Sequence, residues 1–191
     1  MKKSIKKLKI NKVYFIFLRY LVLLGLVFSL GLIYKIFTPL TIYPVAGLLK
    51  LFYKQVLINK TIISIAGRGI IELIPACIAG SAYLLLLILN LSVSMKLKQR
   101  IYSILISFAL LLALNIFRIF FLSIMYINGN LFFNITHKLF WYGLSTLFVV
   151  GIWFLIVKIF SIKEIPVYSD LKYFIKRIRK GKWIGFNLEK Y

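Results

Sequence analysis

The sequence predicts an all-α polytopic membrane protein, one integral membrane domain over residues 1–191 with about four transmembrane helices, a helix on the outer interface and a small extracellular β-hairpin. Three observations carry this. Of the 191 residues 62% are hydrophobic, against about half in a soluble domain, and they fall in runs of about 20, the length that crosses a hydrocarbon core of about 30 Å. Lys and Arg number 26 against 4 Asp and Glu, a formal net charge of +22, and this charge lies between the runs, where topology and anionic lipid account for it without nucleic acid. A single Cys and a single His exclude a disulfide framework, a CxxC pair and a Cys-rich metal site, and nothing calls for a metal or an organic cofactor.

The first span, 13–37, is uncharged only between Tyr20 and Tyr34, so Arg19 and Lys35 must reach opposite interfaces. A basic start resembles a signal peptide, but the apolar part is too long and no small-x-small site follows, so a retained anchor is expected. The connection 38–75 holds Val45 to Leu57 with Lys50 and Lys54 at i, i+4, the pattern of a helix lying on the interface. Next, 61–65 and 69–74 are β-prone runs around Ala66-Gly67-Arg68-Gly69, a hairpin leading into the second span at 76–95. The third span covers 101–127 and the fourth 139–160. In the tail, 161–191, Ser169 can cap a basic amphipathic helix that Gly181 ends.

Orientation follows from the positive charge, which stays in the cytoplasm. Lys2, Lys3, Lys6, Lys7, Lys9 and Lys12 precede the first span, Lys96, Lys98 and Arg100 link the second and third, and eight more basic residues fill the tail. With four spans all three groups share one side. Both termini are therefore expected in the cytoplasm of a multi-pass plasma-membrane protein.

Three residues then fall in the outer leaflet. Cys77 opens the second span behind Pro75, where the unpaired N–H groups of a first helical turn favour a thiolate; the alternative is a small buried hydrophobe. Arg118 interrupts the third span, about 25 Å from its cytoplasmic end, and an Arg there needs protein, water or a partner unless it snorkels outward. Asn115, three residues earlier, shares its helix face and could orient it or bind substrate. His137 opens the fourth span, as a proton-transfer group or as a solvated interfacial residue. A nucleophile, a proton carrier and a cation from three helices are the parts of acyl transfer through a thioester. Glu72 is a further candidate for supporting the site or binding substrate, and whether Arg68 joins it is left open by the sequence.

A Cys after Ile71-Glu72-Leu73-Ile74-Pro75-Ala76, then Asn115-x-x-Arg118 within the next span, then His137 opening the last, resembles the exosortase/archaeosortase family, most of all its compact archaeal members. The resemblance covers about 45–160. It implies a polytopic membrane cysteine transpeptidase acting outside the membrane on exported proteins with a C-terminal motif, transmembrane helix and basic cluster, and passing the new C-terminus to a lipid or other anchor. It further implies Cys77 as nucleophile, Arg118 as the motif Arg and His137 as third catalytic position. The family commonly carries a small polar residue and Gly directly after the Cys; here Ile78 and Ala79 precede Gly80, the residue expected to admit substrate backbone. Two rival readings stay open: a non-enzymatic membrane assembly or transport factor, and a protease without transfer.

Overall fold

The computed structural model describes residues 21–162 apart from positions 23 and 94. The basic N-terminus, the start of the first span and the predicted tail helix lie outside the described residues. A 3-10 turn, Leu26–Ser29, leads into α1, Leu30–Lys50; a sheet of β1, Val56–Asn59, β2, Ile62–Ile65, and β3, Gly69–Glu72, follows. Then come α2, Pro75–Ile78, α3, Gly80–Ser92, α4, Leu97–Ile127, α5, Phe133–Leu139, a π turn, Phe140–Leu144, and α6, Ser145–Ile159.

Three helical segments are long and apolar enough to cross a membrane: Leu26–Lys50, Leu97–Ile127 and Phe133–Ile159. Helix α3, at 13 residues, is about 20 Å long and falls short of the hydrocarbon thickness by itself. The third and fourth predicted spans match α4 and the α5–α6 segment, with starts four and six residues earlier. The earlier start of α5 has a local cause: Asn130 takes the Phe132 N–H on its side-chain oxygen at 2.9 Å and the Phe133 N–H on its carbonyl at 3.0 Å, satisfying donors that a helix start leaves open. Before it, α4 is closed by Gly129 at φ 62°, and the Asn130 N–H reaches back to the Met125 carbonyl at 3.0 Å, a left-handed helix end that suits glycine.

The separate interfacial helix over 45–57 is not formed. Its first residues belong to α1, which continues past Pro39 and Pro44 to Lys50, and its last residues enter β1. The reason is a buried stripe at helical spacing, Ile33, Phe37, Thr41, Val45 and Leu49, with Ile42 and Ala46 beside it. Packing this single face against α3 and α4 outweighs the hydrogen bonds that two prolines remove, as neighbouring helices allow in membrane proteins. The predicted hairpin is present as β2 and β3, and β1 extends it to a three-stranded antiparallel sheet in the order β1-β2-β3. Its register runs Val56↔Ile65 to Asn59↔Ile62 and Ile62↔Glu72 to Ile65↔Gly69.

Helix α4 is the central element, and its polarity is inverted relative to a soluble helix. Its buried face carries Ser103, Ser107, Leu111, Asn115, Arg118, Ile119 and Ser123, while Leu105, Phe117 and Phe121 are exposed. Polar groups turned inward and large apolar groups turned outward are what a lipid solvent selects. Deep in the bundle Asn90 of α3 donates to the Leu86 carbonyl at 2.8 Å and to Ser107 Oγ at 3.4 Å, Ser103 Oγ donates to Asn90 Oδ1, and Ser107 Oγ to the Ser103 carbonyl at 2.6 Å. All three side chains are fully buried, so this network joins α3 to α4 without unpaired polar atoms of its own. An aromatic cluster adds α1: Phe37 stacks on Tyr83 at 3.8 Å between centroids, and Phe108 meets both rings edge-on.

Candidate functional site

Between α2 and α3 the chain breaks at Ala79, whose φ of 61° is left-handed. With the chain turned there, the Ala82 N–H donates to the Ala79 carbonyl at 3.0 Å and no longer serves the Ile78 carbonyl as a continuous helix would. Side chains of α4 fill the gap. Asn115 Nδ2 donates to the Cys77 carbonyl at 2.9 Å and to the Ile78 carbonyl at 3.4 Å, and Arg118 Nη2 donates to the Cys77 carbonyl at 3.1 Å. The Asn-x-x-Arg pair, one turn apart on one face, is thus a clamp on the backbone of the turn that carries Cys77.

Arg118 is 8% exposed, and its other terminal nitrogen, Nη1, donates to Ser145 Oγ at 2.8 Å. Ser145 Oγ in turn donates to the Phe140 carbonyl, five residues back across the π turn, where the helix is widened by one residue. Ser145 carries no signal in the sequence beyond being a small polar residue in an apolar run. The π turn that aims it is equally silent there.

Cys77 is half-buried, and its N–H is taken by the Ile74 carbonyl at 2.8 Å. Helix α2 is only four residues long. One turn aligns few peptide dipoles, so the stabilisation of a thiolate expected from a full helix start is small here, and Arg118 is the nearby positive group. His137 lies on the second turn of the α5–α6 segment, its ring stacked on Phe133 at 5.6 Å and tilted to Trp141 at 6.1 Å. No hydrogen bond joins the imidazole to Cys77 among the described residues.

The three residues nonetheless share one space. A cleft of about 200 Å³ is lined by Cys77, Arg118, His137 and Glu72, together with Ile70, Ile71 and Leu73 of the β3 segment and Tyr126, Phe133 and Trp141 of the helices. Glu72, exposed at the end of β3, is the only carboxylate among the described residues. Gly80 is elsewhere: it is buried, and a Cβ there would stand 2.5 Å from the ring of Tyr34. It allows the close approach of α3 to α1 and does not line the cleft. Arg68 also turns away, its guanidinium 5.4 Å from the Tyr53 ring centre.

No protein-family model, curated protein or solved structure matches the chain.

Proposed function

We propose that this is a membrane-embedded cysteine transpeptidase of the exosortase/archaeosortase kind. The observation that carries the reading is the cleft, in which the only Cys and the only His of the sequence meet Arg118, the one Arg buried within a span among the described residues. In this reading α2 and α3 together form a short fourth span, both termini are cytoplasmic, and the cleft and sheet open on the extracellular side. The substrates are exported proteins with a C-terminal motif, transmembrane helix and basic cluster, and a membrane lipid or other anchor is the acceptor.

The chemistry follows from the residues. The Cys77 thiolate attacks the scissile carbonyl carbon, the C–N bond breaks, and a thioester forms as the leaving amine takes a proton from His137. The acceptor hydroxyl or amine then loses a proton to His137 and attacks the thioester, and the thiolate is released. Arg118 faces the developing oxyanion from a partly dry wall, and limited water at the cleft favours transfer over hydrolysis. Because His137 is flanked by rings, its approach to the leaving group is set by the substrate that fills the cleft.

One observation favours a second reading. Both terminal nitrogens of Arg118 already bond protein groups, as they would in a structural clamp within a non-enzymatic membrane assembly or transport factor. The deciding experiment compares cells carrying the wild-type protein with cells carrying Cys77→Ala by mass spectrometry of surface-protein C-termini. Tails removed only with Cys77 present, with mass added to the new C-terminus, support the transpeptidase. Trimming without added mass makes it a protease, and identical tails in both strains favour the non-enzymatic reading.

A further inference from the structure

The sheet ends in an open edge at the cleft. The Leu73 N–H donates to the Thr61 carbonyl at 2.9 Å, and the Ala66 N–H to the Gln55 carbonyl at 3.2 Å. In an antiparallel ladder bonded and non-bonded pairs alternate, so with the observed register Gly69 and Ile71 bond β2 whereas Ile70 and Glu72 turn their N–H and C=O groups away from it. These outward groups have no backbone partner among the described residues. Ile70, Ile71, Glu72 and Leu73 all line the cleft. Consecutive strand residues point to opposite faces, so a cleft touching all four follows the long edge of the strand, and Cys77 stands four residues beyond Leu73.

The geometry points to β3 as the docking edge for an extended acidic peptide, which adds a fourth strand to the sheet and so brings its scissile bond to Cys77. An unpaired edge offers alternating donors and acceptors that only another extended backbone matches along its length. Charge argues for an acidic occupant: Arg118 lines the cleft, Lys54 and Lys60 lie in the connections before β1 and between β1 and β2, and Lys138 follows His137 on α5, against the single carboxylate of Glu72 among the described residues. This inference rests on the cysteine-peptidase reading and adds to it how the substrate is held. Backbone pairing fixes the register, and the rings of Phe133 and Trp141 meet alternate side chains.

The test uses full-length protein in cells, with mass spectrometry of surface-protein C-termini and immunoblotting for protein level. Ile70→Pro removes one outward N–H while the ladder bonds of Gly69 and Ile71 remain, and edge strands tolerate such a change. Ile70→Val keeps the N–H. Ile58→Pro removes the corresponding outward N–H on the opposite edge, at β1. The expected result is processing by Ile70→Pro about ten-fold below Ile70→Val, with Ile58→Pro at the wild-type level and acidic residues enriched just before the new C-termini. Should Ile70→Pro fail to accumulate, an amide-to-ester replacement at residue 70 deletes the same N–H without fixing φ. Equal processing by Ile70→Pro and Ile70→Val, with Cys77→Ala inactive, overturns strand addition and leaves the peptidase reading intact. Processing that persists in Cys77→Ala overturns the peptidase reading and strand addition with it. Basic residues predominating before the new C-termini overturn the acidic occupant.

Discussion

The guanidinium of Arg118 spans two elements, bonding the carbonyl of the cysteine turn on one side and Ser145 on the other. Lysine cannot reproduce this, because a single ammonium lacks the planar fork that reaches both. Arg118→Lys is expected to lower Cys77-dependent processing about 100-fold, the scale of losing one oriented donor at a reacting carbonyl, measured as the rate at which substrate tails disappear. Asn115→Leu removes a donor from the Cys77 carbonyl, which keeps Arg118, and from the buried Ile78 carbonyl, and is expected to cost about 1–3 kcal/mol of stability, read as a fall in the unfolding temperature of the detergent-solubilised protein. The spacing Asn115-x-x-Arg118 was legible in the sequence because a polar pair inside an apolar run has few innocuous explanations. Its target was not. The sequence pointed to a thiolate or a substrate, and the two side chains hold backbone carbonyls that a left-handed alanine leaves open.

At the scale of elements, the break between α2 and α3 is maintained against local preference. Alanine at positive φ is disfavoured by about 1 kcal/mol or more, so Ala79→Gly is expected to keep the break and raise stability by about 1 kcal/mol, whereas Ala79→Val lowers it; thermal unfolding of the two variants side by side tests both signs. Hydrophobic runs located α4, α6 and the β2–β3 hairpin, since length and alternation are written directly in residue order. They misjudged α1, because Pro39 and Pro44 mark helix ends when read locally, and the stripe that overrides them matters only once α3 and α4 are in place to cover it. The same limit hid β1, which needs β2 as a partner before its residues count as a strand. The packing at Gly80 was hidden for a related reason: the sequence shows a small residue but not the neighbour, Tyr34, that requires it to be small.

For the whole molecule, the proposed four-span arrangement puts the cleft outside the cell. A membrane-impermeant maleimide is therefore expected to label Cys77 in intact cells to the same extent as after permeabilisation; labelling that requires permeabilisation would invert the topology. The short α3 adds a consequence for how the chain enters the bilayer. In the proposed four-span arrangement α3 would emerge before α4, with Asn90 exposed and too few residues to hold itself across the hydrocarbon, and would become a stable passenger only when Ser103 and Ser107 of α4 arrive to take up that side chain. Insertion of this pair is thus a joint event, in which the later helix recruits the earlier one. Defects at the Asn90 network should surface as chains stranded with the wrong number of crossings, a fault of biogenesis, before they surface as any loss of chemistry.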